Sequence, residues 1–122
     1  MSQSYSEEGL EYWDDHKNEC VKRKHSIDLG IAVRAFDDEH PWMQKYPYLN
    51  SDGSFEEQYR TTGIMDGRFI TVVSKTDEED LDKIITAWDS SNAEIQAYFK
   101  NCELSSIGRR NKNKQRLRHS CD

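Results

Sequence analysis

The sequence lacks the features of a membrane or secreted protein. It has no apolar run of about eighteen residues, the length that a membrane-spanning helix requires. Its first eight residues have neither the basic start nor the apolar segment of a secretory signal. We therefore predict a cytoplasmic protein that does not associate with membranes.

Cysteines are also few. Cys20, Cys102 and Cys121 form neither an even set nor a Cys-x-x-Cys pair, which argues against a disulfide framework and predicts reduced thiols. His16 and Cys20 have helical i, i+4 spacing and could bind zinc together with His119 and Cys121. A helical cysteine is more often a small apolar filler, so we predict no metal site and no cofactor.

Apolar side chains are scarce, at 34% of the 122 residues against 33% charged. Part of the deficit lies at the two ends, where long polar stretches argue against a packed core. We predict an N-terminal tail over residues 1–8, one folded domain over residues 9–104 and a flexible basic tail over residues 105–122. A domain of this length buries only a modest core.

The net charge of −6 is unevenly distributed. After Ile107 the chain has six basic residues and one acid, a net charge of +5, which leaves −11 for the rest. An acidic body with a basic tail indicates two different surfaces, although a solvated acidic surface with a solubilising tail has the same composition. In the tail, Arg109 and Arg110 are candidate contacts to nucleic acid or to an acidic partner.

The first part of the chain predicts one strand and two short helices. The strand is Leu10–Trp13, and Asp14 is placed to cap a helix that runs to about Lys24. A second helix follows from about Asp28. Its apolar face consists of Leu29, Ala32, Val33 and Phe36.

The middle of the chain predicts a long loop and then three strands. Residues 42–57 have the Pro, Asn, Asp and Gly content of a loop, which makes this the segment most suited to face a partner. The strands are residues 58–65, 68–75 and 81–88, and Asp66-Gly67 is a hairpin signal between the first two.

The last predicted element is a helix that starts near Ser91. Ser91 and Glu94 have the spacing of a capping box. The apolar residues that follow with one-face spacing are Ile95, Tyr98, Phe99 and Cys102. The order is strand, helix, helix, three-stranded meander and helix, which predicts an α+β domain with an antiparallel sheet.

Several short strings keep a fixed order and spacing between residues 12 and 99. They are Trp13-Asp14, Lys17, Lys24-His25, Phe36-Asp37-Asp38, Glu57-Gln58, Gly63, Gly67-Arg68, Thr71-Val-Val, Lys83-Ile-Ile-Thr-Ala, Ser91, Glu94 and Tyr98. In this order they resemble the BrnT family, the toxin half of a bacterial toxin–antitoxin pair. The resemblance implies a RelE-like fold, metal-independent RNA endonuclease activity and a cognate antitoxin. It leaves the oligomeric state open, a dimer within a toxin–antitoxin complex being one option.

The chain departs from the family pattern at three positions. Gln58 and Trp88 stand where the family has arginines that are expected to hold RNA, and Ser26 stands where it has glycine. Ribonucleases of this kind let the ribose 2′-hydroxyl attack the adjacent phosphate, which requires cations and a proton acceptor. Neither glutamine nor tryptophan supplies a positive charge.

The basic residues that remain within residues 12–99, the part of the chain that resembles the family, give a candidate site. Arg60 shares a strand face with Gln58 by period-two alternation and is the best replacement for the lost charge. We predict catalytic roles for His25, Arg60 and Lys83, with His25 as the proton carrier. Lys24 and Arg68, with Arg109 and Arg110 of the tail, are predicted to contact nucleic acid.

Each of these residues also has a purely structural interpretation. Lys24 and His25 could end the first helix, where cations meet the negative end of the helix dipole. Lys83 and Arg68 could be solvated strand ends. Trp88 could stack a base, or it could pack against the core or a partner.

Two other functions fit the composition. The first is a catalytically inactive binding protein whose acidic surface engages a protein partner, as a nucleic-acid mimic of the phage anti-defence kind would. The second is a DNA-binding accessory that acts through the basic tail.

Overall fold

The fold combines one sheet with three helices. The structure, a computed structural model, describes the backbone of residues 2–112 and the side chains of residues 2–102. The strands are β1 Gln3–Tyr5, β2 Glu11–Asp14, β3 Trp42–Leu49, β4 Phe55–Met65, β5 Arg68–Thr76 and β6 Asp82–Asp89. The helices are α1 Asp15–His25, α2 Leu29–Ala32 and α3 Asn92–Lys112, with a 3₁₀ segment, Val33–Asp37, after α2. The predicted α+β class is confirmed.

The six strands form one sheet in the order β1-β2-β6-β5-β4-β3. Strands β3 to β6 form an antiparallel meander of four strands rather than the predicted three. The prediction of a wholly antiparallel sheet is also wrong, because β2 and β6 run parallel, with Tyr12 opposite Lys83. The chain leaves β2 through the helices and returns to it only at the end of the meander, as a parallel pair requires.

The predicted loop over residues 42–57 is instead β3, a hairpin turn and the start of β4. Strand β3 pairs with β4 along its whole length, from Trp42 opposite Thr62 to Leu49 opposite Phe55. The turn-forming residues are concentrated at the hairpin tip, where the Asn50 amide donates to the Ser54 carbonyl. A proline within β3 is tolerated because β3 is an edge strand.

The predicted chain ends also need correction. Gln3–Tyr5, predicted as part of a tail without fixed structure, pairs with β2, and the Tyr5 and Tyr12 ring centroids are 5.6 Å apart. Helix α3 continues to Lys112, so residues 105–112 are helical where a flexible tail was predicted. Residues 113–122 of that tail lie outside the described part of the chain.

The predicted turn and caps are confirmed. Asp66 and Gly67 form the turn between β4 and β5 with positive φ angles of 49° and 80°. The Asp14 carboxylate accepts from the Lys17 amide at the start of α1. Ser91 and Glu94 exchange backbone-to-side-chain hydrogen bonds at 2.8 and 3.2 Å, which completes the capping box of α3.

The core lies between the sheet and the segment formed by α2 and the 3₁₀ residues. We call the face of the sheet that packs against this segment, with Gly63, Ile70 and Val72, the back face. Its buried residues include Trp13, Val21, Ile27, Leu29, Ala32, Ala35, Ile70, Val72, Ile84 and Ala87. Gly63 of β4 contacts the 3₁₀ segment so closely that a Cβ atom there would lie 2.3 Å from the Ala35 carbonyl oxygen.

Helix α3 packs on one end of the opposite face of the sheet, which we call the front face and which carries Phe69, Thr71 and Val73. The Phe69 ring meets the Tyr98 and Phe99 rings edge to face, with centroids 5.5 Å apart. The Tyr98 hydroxyl donates to Asp38 at 2.6 Å, and burial raises the pKa of Tyr98, so that this hydroxyl stays a donor. In the part of the chain that the structure describes, no helix is long and apolar enough to span a membrane.

Candidate nucleic-acid interface

The other end of the front face is an open groove of about 590 Å³, which we call the front groove. The floor of the groove consists of side chains from three neighbouring strands. Arg60 of β4 lies opposite Val73 of β5, which in turn lies opposite Thr86 of β6. The first turn of α1 forms one wall, through His16 and Lys17. The other residues that line the groove include Tyr48, Glu56, Gln58, Lys75, Lys83 and Trp88.

Arg60 lies between two aromatic rings. Its guanidinium carbon is 4.6 Å from the Tyr46 ring centroid and 5.7 Å from that of Trp88. Both distances are within cation–π range. Among the side chains of residues 2–102, no carboxylate lies within ion-pair distance of Arg60. Its charge is therefore held in place by the two rings and is available to an anion.

Trp88 is fixed by contacts on several sides. Its indole N–H donates to Glu94 Oε1 at 3.1 Å, and the same oxygen accepts the Ser91 amide. The His25 ring lies beside it at a tilt, with centroids 6.3 Å apart. These contacts favour the packing interpretation of Trp88, and they link the α3 cap to the position of Arg60.

The groove carries more positive than negative charge. Four cations line it, Lys17, Arg60, Lys75 and Lys83, against the carboxylates of Asp14 and Glu56. Within the described side chains, Lys17 and Lys83 have no ion pair. The net charge of −11 before the tail would repel RNA. The groove differs from the rest of the chain because it carries a local excess of positive charge.

Glu56 balances one of these cations. The Glu56 carboxylate accepts a hydrogen bond from the Gln58 side-chain amide at 2.9 Å and forms a salt bridge with Lys75 at 3.3 Å. These contacts, the Gln58 hydrogen bond first, lower the pKa of Glu56. The salt bridge therefore offsets the charge of Lys75 at the end of the groove near Glu56. Arg60 lies further along the sheet, opposite Val73, and Lys83 lies opposite Lys75 on β6.

The structure brings together two of the predicted site residues. Arg60 and Lys83 both line the front groove. His25 lies against Trp88 at the far end of α1, and Lys24 is exposed in the last turn of that helix. Arg68 makes a bidentate salt bridge to Asp89, with Nε 2.6 Å from Oδ1 and Nη2 3.2 Å from Oδ2. The side chains of Arg109 and Arg110 lie outside the described residues.

Several groove residues were absent from the sequence-based site. His16 was considered only as a zinc ligand, and Lys17 and Lys75 were not considered as site residues. Tyr46 and Tyr48 fell in the predicted loop. The alternation of Trp42, Gln44, Tyr46 and Tyr48 is the strand signal that could have placed these rings on one face.

No group of three or more possible metal ligands occurs among the described residues. His16 Nε2 and Cys20 Sγ are 3.8 Å apart. The other two residues of the hypothetical zinc set, His119 and Cys121, lie outside the described part of the chain.

The Arg68–Asp89 pair predicts a pH-dependent contribution to stability. The Arg68 hydrogen bond lowers the pKa of Asp89 in the folded protein below its unfolded value of about 3.9. The contribution is therefore present above about pH 4 and is lost as the pH falls through the lowered pKa of Asp89. We expect Asp89→Asn to lower the melting temperature at pH 7 and to differ less from the unmodified chain at pH 3. Thermal melts at both pH values measure this, and a difference that widens at pH 3 would contradict it.

Comparison with known proteins gives a structural likeness and no match in sequence. No protein-family model and no curated protein matches the chain. The chain is similar to the crystal structure of the ribonuclease toxin BrnT of Brucella abortus, with 20% identity and a TM-score of 0.47. The match covers 66% of this chain and 94% of that chain. At these values the likeness is distant.

Proposed function

We propose that the chain is a BrnT-like RNA endonuclease of RelE-like fold, that the front groove is its active site, and that a cognate antitoxin restrains it. The observation that carries the proposal is the Arg60 guanidinium, which is held between the Tyr46 and Trp88 rings in a groove with a local excess of cations and has no ion pair with any described side chain. An arginine that is fixed and unpaired is suited to a phosphate. The motif order over residues 12–99 supports the choice of ribonuclease chemistry.

The proposed reaction requires no metal ion. The ribose 2′ oxygen attacks the adjacent phosphorus, the bond from phosphorus to the 5′ oxygen breaks, and the products are a 2′,3′-cyclic phosphate and a 5′-hydroxyl. Negative charge develops on the phosphoryl oxygens, where Arg60 and Lys83 stabilise it. The 2′-hydroxyl proton passes to a base on the protein, and the leaving oxygen takes a proton from solvent.

His16 is better placed than His25 to accept that proton. His16 lines the front groove beside Lys17, at the start of α1. His25 lies two and a half turns further along the helix, with its ring centroid 6.3 Å from that of Trp88, and is not among the residues that line the groove. We therefore assign proton transfer to His16, and to His25 a supporting contact with Trp88.

Histidine variants distinguish the two assignments. We expect His16→Ala to lower the cleavage rate by about 10²-fold or more. His25→Ala should lower the rate by less than about 10-fold. Cys20→Ser, which changes the sulfur near His16, is the matched control and should cleave normally. A normal rate for His16→Ala with a large loss for His25→Ala would restore the sequence-based assignment.

The test of the function itself uses the whole chain. We expect growth arrest when the protein is expressed alone, and relief when the neighbouring reading frame is co-expressed and its product binds the chain. The purified protein should cleave cellular RNA in the presence of a chelator. Absence of both arrest and cleavage in several hosts would contradict the proposal and favour a catalytically inactive binding protein. The mass of the complex with the neighbouring product measures its oligomeric state.

A further inference from the structure

We infer that the front groove accepts its RNA as a single strand and stacks one unpaired base on the ring of Tyr48. The inference rests on the proposed function and deepens it. It concerns the end of the groove near the Glu56–Lys75 salt bridge, which is distinct from the end around Arg60.

Tyr48 has the position and exposure of a stacking platform. It lines the groove from β3, opposite Glu56 of β4, and is 52% exposed. Among the described residues, the Tyr48 side chain has no hydrogen bond or ring contact. The preceding ring on this face, that of Tyr46, is already covered by Arg60 at 4.6 Å. Tyr48 is therefore the groove ring with a free face for a base.

The charge along the groove separates a base from a phosphate. The residue opposite Tyr48 on β4 is Glu56, which pairs with Lys75 at 3.3 Å. A ring beside a neutralised cation suits the uncharged face of a base. Arg60, Lys17 and Lys83, which form no ion pair with any described side chain, suit the phosphate.

The distance along the sheet places this base away from the bond that breaks. Glu56, opposite Tyr48, precedes Arg60 by four residues, about 13 Å at the rise of a β-strand. Tyr48 should therefore act on binding and on the choice of cleavage site, and should leave the chemical step unchanged.

Only an unpaired strand can supply such a base. In an A-form duplex each base is stacked between its neighbours, and its edges are accessible only through the grooves. A base that leaves the stack in a single strand can lie flat on an aromatic ring. The groove should therefore discriminate against duplex RNA.

Binding measured apart from cleavage tests the inference. The probe is a labelled single-stranded 2′-O-methyl RNA, whose blocked nucleophile prevents cleavage, measured by fluorescence anisotropy at constant salt. We expect Tyr48→Ala and Tyr48→Leu to weaken binding by about 10-fold, and Tyr48→Phe to stay within about twofold of the unmodified chain. The matched control is Tyr59→Ala, on the back face of the same hairpin, which should bind normally. With a cleavable RNA, Tyr48→Ala should raise KM and leave kcat unchanged.

The outcomes separate this inference from the proposed function. Normal binding by Tyr48→Ala and Tyr48→Leu, or duplex RNA bound as tightly as single strands, would overturn the inference even if the protein cleaves RNA. Tyr48-dependent binding of single strands without any cleavage would uphold the inference and contradict the proposed function. Tyr48→Phe separates loss of the ring from loss of the fold.

Discussion

Replacing Arg60 by alanine is expected to lower the rate of RNA cleavage by about 10²- to 10³-fold. Arg60 is the groove cation that two rings hold in place, and among the described side chains no carboxylate lies within ion-pair distance of it. Its removal leaves the charge that develops on the phosphoryl oxygens to lysines, which lack a planar guanidinium. Single-turnover cleavage by the purified protein measures the loss.

Two further arginine variants serve as controls. Arg68→Ala removes a cation from the neighbouring strand that is already paired with Asp89, and it should cleave within about twofold of the unmodified chain because Arg68 does not line the groove. Arg60→Lys keeps the charge without the stacked plane and should fall between the two. A normal rate for Arg60→Ala would mean that the front groove is not the site.

The largest expected effect on stability is that of Gly63→Ala. The added Cβ would lie 2.3 Å from the Ala35 carbonyl oxygen and 3.1 Å from its carbonyl carbon. Both are backbone atoms, so no rotamer change relieves the clash, and β4 and the 3₁₀ segment must move apart. We expect a loss of about 3 kcal/mol in the free energy of unfolding, at the upper end of the usual cost of overpacking. Urea unfolding measures it.

Gly30→Ala is the matched control for this variant. A Cβ at Gly30 would be 3.2 Å from Asp28 Oδ1 and 3.4 Å from the Trp13 ring. Both neighbours are side-chain atoms that can shift by a few tenths of an ångström, so the loss should be clearly smaller. Equal stability of Gly63→Ala and the unmodified chain would show that the 3₁₀ segment does not pack directly on β4.

Local features of the fold were predictable because their causes are local. The cap at Asp14, the capping box at Ser91 and the turn at Asp66-Gly67 each depend on neighbouring residues. Strand β1 was missed because its stability comes from pairing with β2. Strand β3 was missed because Pro47 and the turn residues after it outweighed the alternation of its aromatic residues.

The composition of the groove depends on contacts between distant parts of the chain. Arg60 could be assigned to a face from alternation alone. Its approach to Trp88 also depends on the β4–β5 and β5–β6 registers, which place Arg60 opposite Val73 and Trp88 opposite Thr71. The choice between His16 and His25 depends on the parallel pairing of β2 with β6, which places the start of α1 beside Lys83. No short stretch of sequence contains that information.

The most direct test of the proposed active site is the chemistry of the cut ends. A single-stranded RNA that the protein cleaves is compared, in the presence of a chelator, with the same strand carrying one 2′-deoxynucleotide at the cleaved position. We predict that the unmodified chain cuts the first strand to a 2′,3′-cyclic phosphate and a 5′-hydroxyl and leaves the second intact, and that Arg60→Ala cuts neither at a comparable rate. Cleavage of the deoxy-substituted strand at that position, or a normal rate for Arg60→Ala, would contradict it.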